Sequence, residues 1–326
     1  MSFVAILIAL LLEQARPVGR SNTVHVGLRA WVSWCGQTFD AGKEHHAWLA
    51  WTFAVLLPSS AALLVYWLLA VLVGWPFAVL WNIVVLYFAL GFRQFSHHFT
   101  DIRDALEAGD EPLARALLAQ WRQMDATGLA RSDVVRQVVE HSVLAAHRHV
   151  FGVLAWFSIL AALGLGPLGA VLYRLSEFVP RYWAREKAAR VRPISAALQG
   201  VALTMWAWMD WLPARITAVG FAVVGSFEDA IDNWRNYERL GSATNDGVIL
   251  ASTSGAINIR LGSSTQPISR PGPEQPNTGV PAASFASDVG GEAEVGHLRV
   301  VVGLVWRTVV MWMVLLALLS LARLLG

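Results

Sequence analysis

The sequence predicts an all-α, polytopic integral membrane protein with about 4–5 membrane-inserted helical segments and a small soluble helical module. Three observations predict it. Of 326 residues, 56% are hydrophobic and only 15% are charged, against about 25% charged in an average soluble chain. Mean hydropathy is +0.49, and the chain carries 16 Trp, a residue enriched at membrane–water boundaries. Apolar runs near transmembrane length recur at 47–73, 77–92, 150–173 and 300–321. The formal net charge is +2, there is no basic low-complexity run, and no nucleic-acid motif is present, so no nucleic-acid partner is expected. The single cysteine, Cys35, excludes an internal disulfide and a multi-cysteine metal site.

The elements follow in order. Residues 1–46 hold an N-terminal apolar segment and an amphipathic helix around Val26–Thr38. The opening run has about eleven apolar residues, too few to span alone, and it lacks the charged start and small-residue site of a signal peptide. Residues 47–92 read as a transmembrane hairpin, kinked at Pro58 and turned at Gly74-Trp75-Pro76. Residues 93–149 balance acids against arginines and read as a soluble helical module. There Gly109 stops one helix, Asp110 caps the next, and Ser132 or Asp133 caps a third. On that third helix Asp133, Glu140 and His147 recur every seven residues, which makes one polar stripe. The stripe reads either as a solvated face or as a path to a membrane-surface site.

Residues 150–225 combine membrane segments with a Gly/Pro break at 164–169. The run 150–173 reads either as a span or as a re-entrant hairpin. A basic stretch follows, with Arg174, Arg181, Arg185, Lys187, Arg190 and Arg192 against Glu177 and Glu186, which the positive-inside rule places in the cytoplasm. Then comes a polar island in an apolar run, WAWMDWLPARITA from Trp206 to Ala218. Asp210 and Arg215 lie inside it. Charges in such a run face a cavity, a bundle interior or the interface, and mark a candidate site. Pro213 between them predicts a helix ending near Asp210–Leu212 and a second one starting at Pro213. The plainer alternative is an interfacial elbow with a structural Asp–Arg pair. Residues 226–262 read as an amphipathic helix over 227–240 followed by a small-residue segment, 263–297 as a flexible Pro/Gly/Ser loop, and 298–326 as a closing transmembrane helix.

No phosphate-binding loop, dinucleotide fingerprint, HExxH, GxSxG or CxxC is present. The nine histidines do not converge at ligand spacing, so no metal centre of their own is expected. Arg148, Arg174, Arg215, Arg235 and Arg260 suit bidentate phosphate binding. Glu140, Asp210, Glu228, Asp229 and Asp232 suit Mg²⁺ held through one or two carboxylates.

Several of these segments resemble a known family. ALEAGDEPLARALLAQW looks like the ALEAGDLEAAR segment of the CobD/CbiB family, the membrane adenosylcobinamide-phosphate synthases of cobalamin assembly. WMDWLPARITA is similar to the family's LNYIPARLTA, with Pro213, Ala214, Arg215, Thr217 and Ala218 coinciding. NDGVILASTSGAINIRLG, which begins at Asn245, looks like SPNAG…AAMAGALGVRLGG, with Gly255, Ala256, Arg260, Leu261 and Gly262 coinciding. Two runs depart from it: HSVLAAHRHVFG stands for VAENTSDG, and LSEFVPR stands for NTLDSM. There the chain is more similar to the AmpE regulators. The resemblance implies a ligase that joins a corrinoid carboxylate to aminopropanol or its phosphate, with ATP and Mg²⁺. It implies Asp210, Arg215, Glu228 and Asp229 as catalytic, and Glu140, His147, Arg148, Thr217, Asn245, Gly255, Arg260 and Gly262 as ligand-binding. The implied partners are the corrinoid, aminopropanol phosphate and the lipid bilayer, with a homo-oligomer left open. The implied location is a bacterial-type inner (plasma) membrane, crossed several times. The alternative is a non-catalytic AmpE-like membrane sensor.

Overall fold

The computed structural model describes residues 2–15, 23–122, 124–188, 194–241, 243–262 and 290–325. In chain order the helices are α1 (Ser2–Ala15), α2 (Thr23–Phe39), α3 (Glu44–Leu68), α4 (Trp75–Ala89), α5 (Phe92–Glu107), α6 (Glu111–Arg122), α7 (Arg131–Ala146), α8 (Gly152–Ala162), α9 (Leu168–Ala188), α10 (Ala196–Val224), α11 (Phe227–Arg239), α12 (Asn245–Ile257) and α13 (Val295–Leu325). π-Helical turns follow α3 (Leu69–Val73) and α7 (His147–Phe151). Among the described residues the nearest thing to a sheet is one isolated bridge, Ile259 to Gly291. Three stretches are long and apolar enough to cross a membrane: Glu44–Val73, Arg131–Ala162 and Val295–Ala322; Phe3–Ala15 and Trp75–Ala89 are shorter apolar helices. The protein is an all-α membrane protein.

The described chain divides into two compact units. The first holds the residues up to Leu90 together with Gly152–Pro213, and so carries α1–α4, α8, α9 and the first part of α10. Its core gathers Val32, Cys35, Trp51, Val55, Leu175, Val179, Trp183 and Leu198. Gly74, at φ 119°, closes the α3–α4 turn, and Pro76 sits in the first turn of α4, where its missing N–H costs nothing. Trp81 Nε1 donates to the Ala62 carbonyl at 3.0 Å and ties α4 to α3. α3 runs unbroken through Pro58. The Gly/Pro run makes the α8–α9 turn, with Gly164 and Gly166 at positive φ. The run 150–173 is thus divided between α8 and α9. A Cβ at Gly169 would lie 2.2 Å from the Trp156 carbonyl oxygen, so only glycine lets α8 and α9 pass that closely.

The second unit holds Gly91–Phe151, then 214–262 and 290–325, with α5–α7, the last part of α10, and α11–α13. The Asp110 carboxylate accepts the Leu113 N–H at 3.0 Å, the cap the sequence predicts. α7 differs from expectation: it starts at Arg131 after an extended Ala130 with no side-chain cap. Asp133 instead pairs with Arg136 at 2.8 Å, one turn on in the same helix. A Cβ at Gly255 would lie 2.2 Å from the Asp229 carbonyl oxygen, which is how closely α11 and α12 pack.

Two further expectations change. α10 is one helix across Pro213, not two. The missing N–H and the ring clash cost about 3 kcal/mol in an ordinary helix, but in a long apolar helix neighbouring groups and small backbone adjustments absorb much of that. The predicted 263–297 loop lies mostly outside the described residues. Its described end is ordered: Arg260 N–H donates to Gly291 O at 2.9 Å, Gly291 N–H to Asn258 O at 3.2 Å, and α13 already begins at Val295.

Candidate functional site

The second unit collects most of the residues singled out from the sequence. α7 and the π-helical turn after it carry Glu140, His147 and Arg148. A π-helical turn adds a residue to the winding and is frequent at functional sites. His147 is fully buried, and its Nδ1 lies 2.9 Å from the Thr217 hydroxyl on α10. The Arg148 guanidinium pairs with the Asp246 carboxylate in the first turn of α12. That acid also stands at the positive end of the helix, which favours its charge. Thr244 builds the end of the helix by accepting the Gly247 N–H at 3.1 Å. Tyr237 OH lies 3.1 Å from the Thr244 hydroxyl. A Cβ at Gly247 would meet the Tyr237 hydroxyl at 2.0 Å.

Arg215 reaches the same helix end by a looser route. Its Nη1 donates to Asn245 Oδ1 at 3.3 Å, and its Nη2 to Glu238 Oε1 at 3.4 Å. Both contacts are longer than the usual 2.7–2.9 Å or so of charge-assisted bonds. Glu140, further back along α7, accepts the Gly262 N–H at 2.7 Å and has Arg136 Nε at 3.8 Å. The seven-residue stripe therefore ends in buried, long-range partners rather than in solvent.

The other candidates fall elsewhere. Glu228 and Asp229 are exposed in the first turn of α11, and the Ser226 hydroxyl donates to Asp229 Oδ2 at 2.6 Å. Gly255 is buried under α11. Arg260 is exposed, with Nε on the Gly290 carbonyl at 2.8 Å. Asp210 belongs to the first unit, where it is fully buried and accepts from Tyr173 OH at 2.8 Å. Asp210 and Arg215 stand five residues apart on the continuous α10, a rotation of about 500°, so the two side chains leave different faces. Sequence reasoning missed Asp246, Glu238 and Tyr237. Asp246 is the neighbour of Asn245, but no spacing rule joins it to Arg148, 98 residues away.

The cluster offers two arginines, a buried imidazole paired with a hydroxyl, an amide, and carboxylates at the rim. Guanidiniums, an amide and a helix start are the groups that suit a charged, phosphate-bearing ligand. Among the described residues no three His, Cys, Asp or Glu side chains gather as a metal cage.

Comparison with known proteins bears on the same segments. A family model described as CobD/Cbib protein matches residues 3–288. The cobalamin biosynthesis protein CobD of Stutzerimonas stutzeri is 30% identical over 285 residues, 84% of this chain and 82% of that protein. The CobD of Chromobacterium violaceum is 29% identical over 180 residues, 55% of this chain and 54% of that one. A CobD of Leptospira interrogans is 25% identical over 195 residues, 58% of each chain. No solved structure matches. With an all-helical membrane architecture and a family match over nearly the whole sequence, the chain belongs to the CobD/Cbib family of cobalamin-biosynthesis membrane proteins.

Proposed function

We propose that the protein joins a corrinoid carboxylate, that of cobyric acid, to the amine of aminopropanol or its phosphate as an amide, in the inner (plasma) membrane of a bacterial-type cell, as a multi-pass protein. One observation carries the proposal: Arg215, in the segment most similar to the family, reaches Asn245 at 3.3 Å and Glu238 at 3.4 Å, beside the Arg148–Asp246 pair at the start of α12. A guanidinium fork brought to the first turn of a helix suits a phosphate, because the fork and the helix end both favour an anion there. Arg215 is the anion clamp. Asn245 and the first turn of α12 orient the ligand. The His147–Thr217 pair fixes the α7–α10 wall behind it.

ATP and Mg²⁺ fit these residues. The arginines suit phosphates. Mg²⁺ is usually held by one or two carboxylates together with phosphate oxygens, and Glu238 and Asp246 are such carboxylates. When bound, ATP and Mg²⁺ supply the leaving group for the acyl carbon and offset its charge. An amide ligation also needs the amine neutral and close to the acyl carbon, and Glu228 and Asp229 at the exposed start of α11 are the candidates to orient it.

The test is growth of a strain lacking the synthase on cobyric acid as sole corrinoid precursor. The wild-type gene restores growth; Arg215→Ala abolishes it; Arg215→Lys, which keeps the charge but loses the fork, restores it partly. Membrane levels of each variant are checked by immunoblot. Growth with Arg215→Ala removes Arg215 from the mechanism. Absence of growth with the wild-type protein present in the membrane moves the reading to a non-catalytic AmpE-like sensor.

A further inference from the structure

α2 carries apolar residues on two sides, and the core uses one. Val32, Cys35 and Gly36 are buried, with Leu28 and Phe39 packed beside them. These positions lie on one side of the helix by their spacing. Trp183 Nε1 on α9 donates to the Val32 carbonyl at 3.1 Å, and a Cβ at Gly36 would lie 2.8 Å from that same nitrogen, so α2 sits tightly on α9. The opposite side carries Val26, Ala30 and Trp34, all exposed, Val26 at 53% and Trp34 at 48%, with the polar Thr23 and Gln37 at its two ends. An outward stripe of a valine, an alanine and a tryptophan is costly in water. α2 is also not among the stretches long and apolar enough to cross a membrane.

The surroundings say what covers that stripe. An aromatic ladder leads from it into α3, a stretch long enough to span: Trp31–Trp34 centroids are 5.2 Å apart, Trp34–Phe39 5.9 Å and Phe39–Phe53 5.0 Å. Trp48 and Leu49 are exposed at the start of α3. Aromatic residues gather at the depth of lipid headgroups. Beside the Trp31–Trp34 end of the ladder the charge is positive; the acids Asp40 and Glu44 lie at its other end, and Asp40 accepts the Ser195 N–H at 2.8 Å. α2 contains no acid. Arg29 on α2 and Arg174 on α9 both act on His25, whose pKa is lowered by burial first and then by these two guanidiniums. On α9, Glu177 faces Arg174 at 2.9 Å and also pairs with Arg181, one carboxylate between two arginines.

We propose that α2 lies in the membrane surface and holds anionic phospholipid, with Val26, Ala30 and Trp34 in the headgroup–acyl boundary and Arg29 and Arg174 on the lipid phosphates. This is the pattern of an interfacial helix with basic residues flanking its apolar face. Each such arginine contributes ~1 kcal/mol toward an anionic surface, roughly a fivefold preference.

The test uses the full chain reconstituted in nanodiscs of phosphatidylcholine mixed with phosphatidylglycerol, with bromine on the acyl chains of one lipid or the other. Subtracting the quenching of Trp34→Phe isolates the Trp34 signal. Brominated phosphatidylglycerol quenches Trp34 more than brominated phosphatidylcholine at equal mole fraction. The preference falls roughly fivefold in Arg29→Gln and shrinks with added salt, as a screened surface interaction does. Arg174→Gln lowers it further. If that variant fails to fold, Arg29→Gln, an exposed change, carries the test alone. Trp34 unquenched by either lipid overturns the proposal and assigns the face to a protein partner or to water. Equal quenching by both lipids overturns the role of the arginines. Neither outcome touches growth on cobyric acid, so this inference fails separately from the proposed activity.

Discussion

Glu177 in the first unit and Asp246 in the second are both carboxylates held by arginine, yet they do different work. Glu177 is 3% exposed and takes its partners, Arg174 and Arg181, from its own helix, three residues before it and four after. Asp246 takes its partner from another helix, 98 residues earlier in the chain. A pair within one helix forms wherever that helix forms, and it brings no new elements together. The second pair exists only once α12 and the α7 turn are packed, and it draws His147, Thr217, Arg215 and Asn245 into the same neighbourhood. The contrast separates a charge that makes a helix tolerable in a buried setting from one that assembles a site.

Three experiments break or sharpen this contrast. Arg148→Ala has the largest expected effect. It leaves Asp246, 15% exposed, without its partner, and breaking a largely buried pair costs roughly 3 kcal/mol. Thermal unfolding in detergent should show it, and adding Asp246→Asn should return more than half of the loss. A double variant as unstable as the single one would mean that the pair does not couple the two helices. Glu177→Gln comes next. It keeps the shape and leaves two partly exposed arginines, so about 1 kcal/mol is expected, with no effect on growth on cobyric acid. Loss of growth at full membrane abundance would place Glu177 in the functional machinery and erase the distinction.

The smallest effect concerns Cys35, on the α2 face that packs against α9. Its side chain is fully buried, and burial pushes the thiol up to about 11. The thiolate is the reactive form, so a maleimide at neutral pH should label the folded protein far more slowly than the unfolded one. Rapid labelling would mean that α2 leaves α9 readily, and the first unit would then be the less firmly packed of the two.

Much was legible before any coordinates. α11 and the α3–α4 hairpin follow from hydropathy, turn chemistry and caps, all of which act within a few residues. The Asp110 cap and the Gly74 turn are of the same kind. The family, too, was legible in the ordered segments around Arg215 and Gly255. Local rules failed at two places. Pro213 ought to end a helix, and α10 runs through it. Ser132 or Asp133 ought to cap α7, and the helix begins ahead of both, at Arg131 after Ala130.

By itself, then, the sequence determined the helical class and the membrane class, because periodicity and composition act along the chain, and it offered Arg215, His147 and Asn245 as candidates. Only the tertiary structure decided that Asp210 and Arg215 part company, that the Glu140–His147 stripe is buried against distant partners, and that Arg148 meets Asp246. Those outcomes depend on which helix faces pack together. That choice is made by summed burial over many residues, and no single spacing records it.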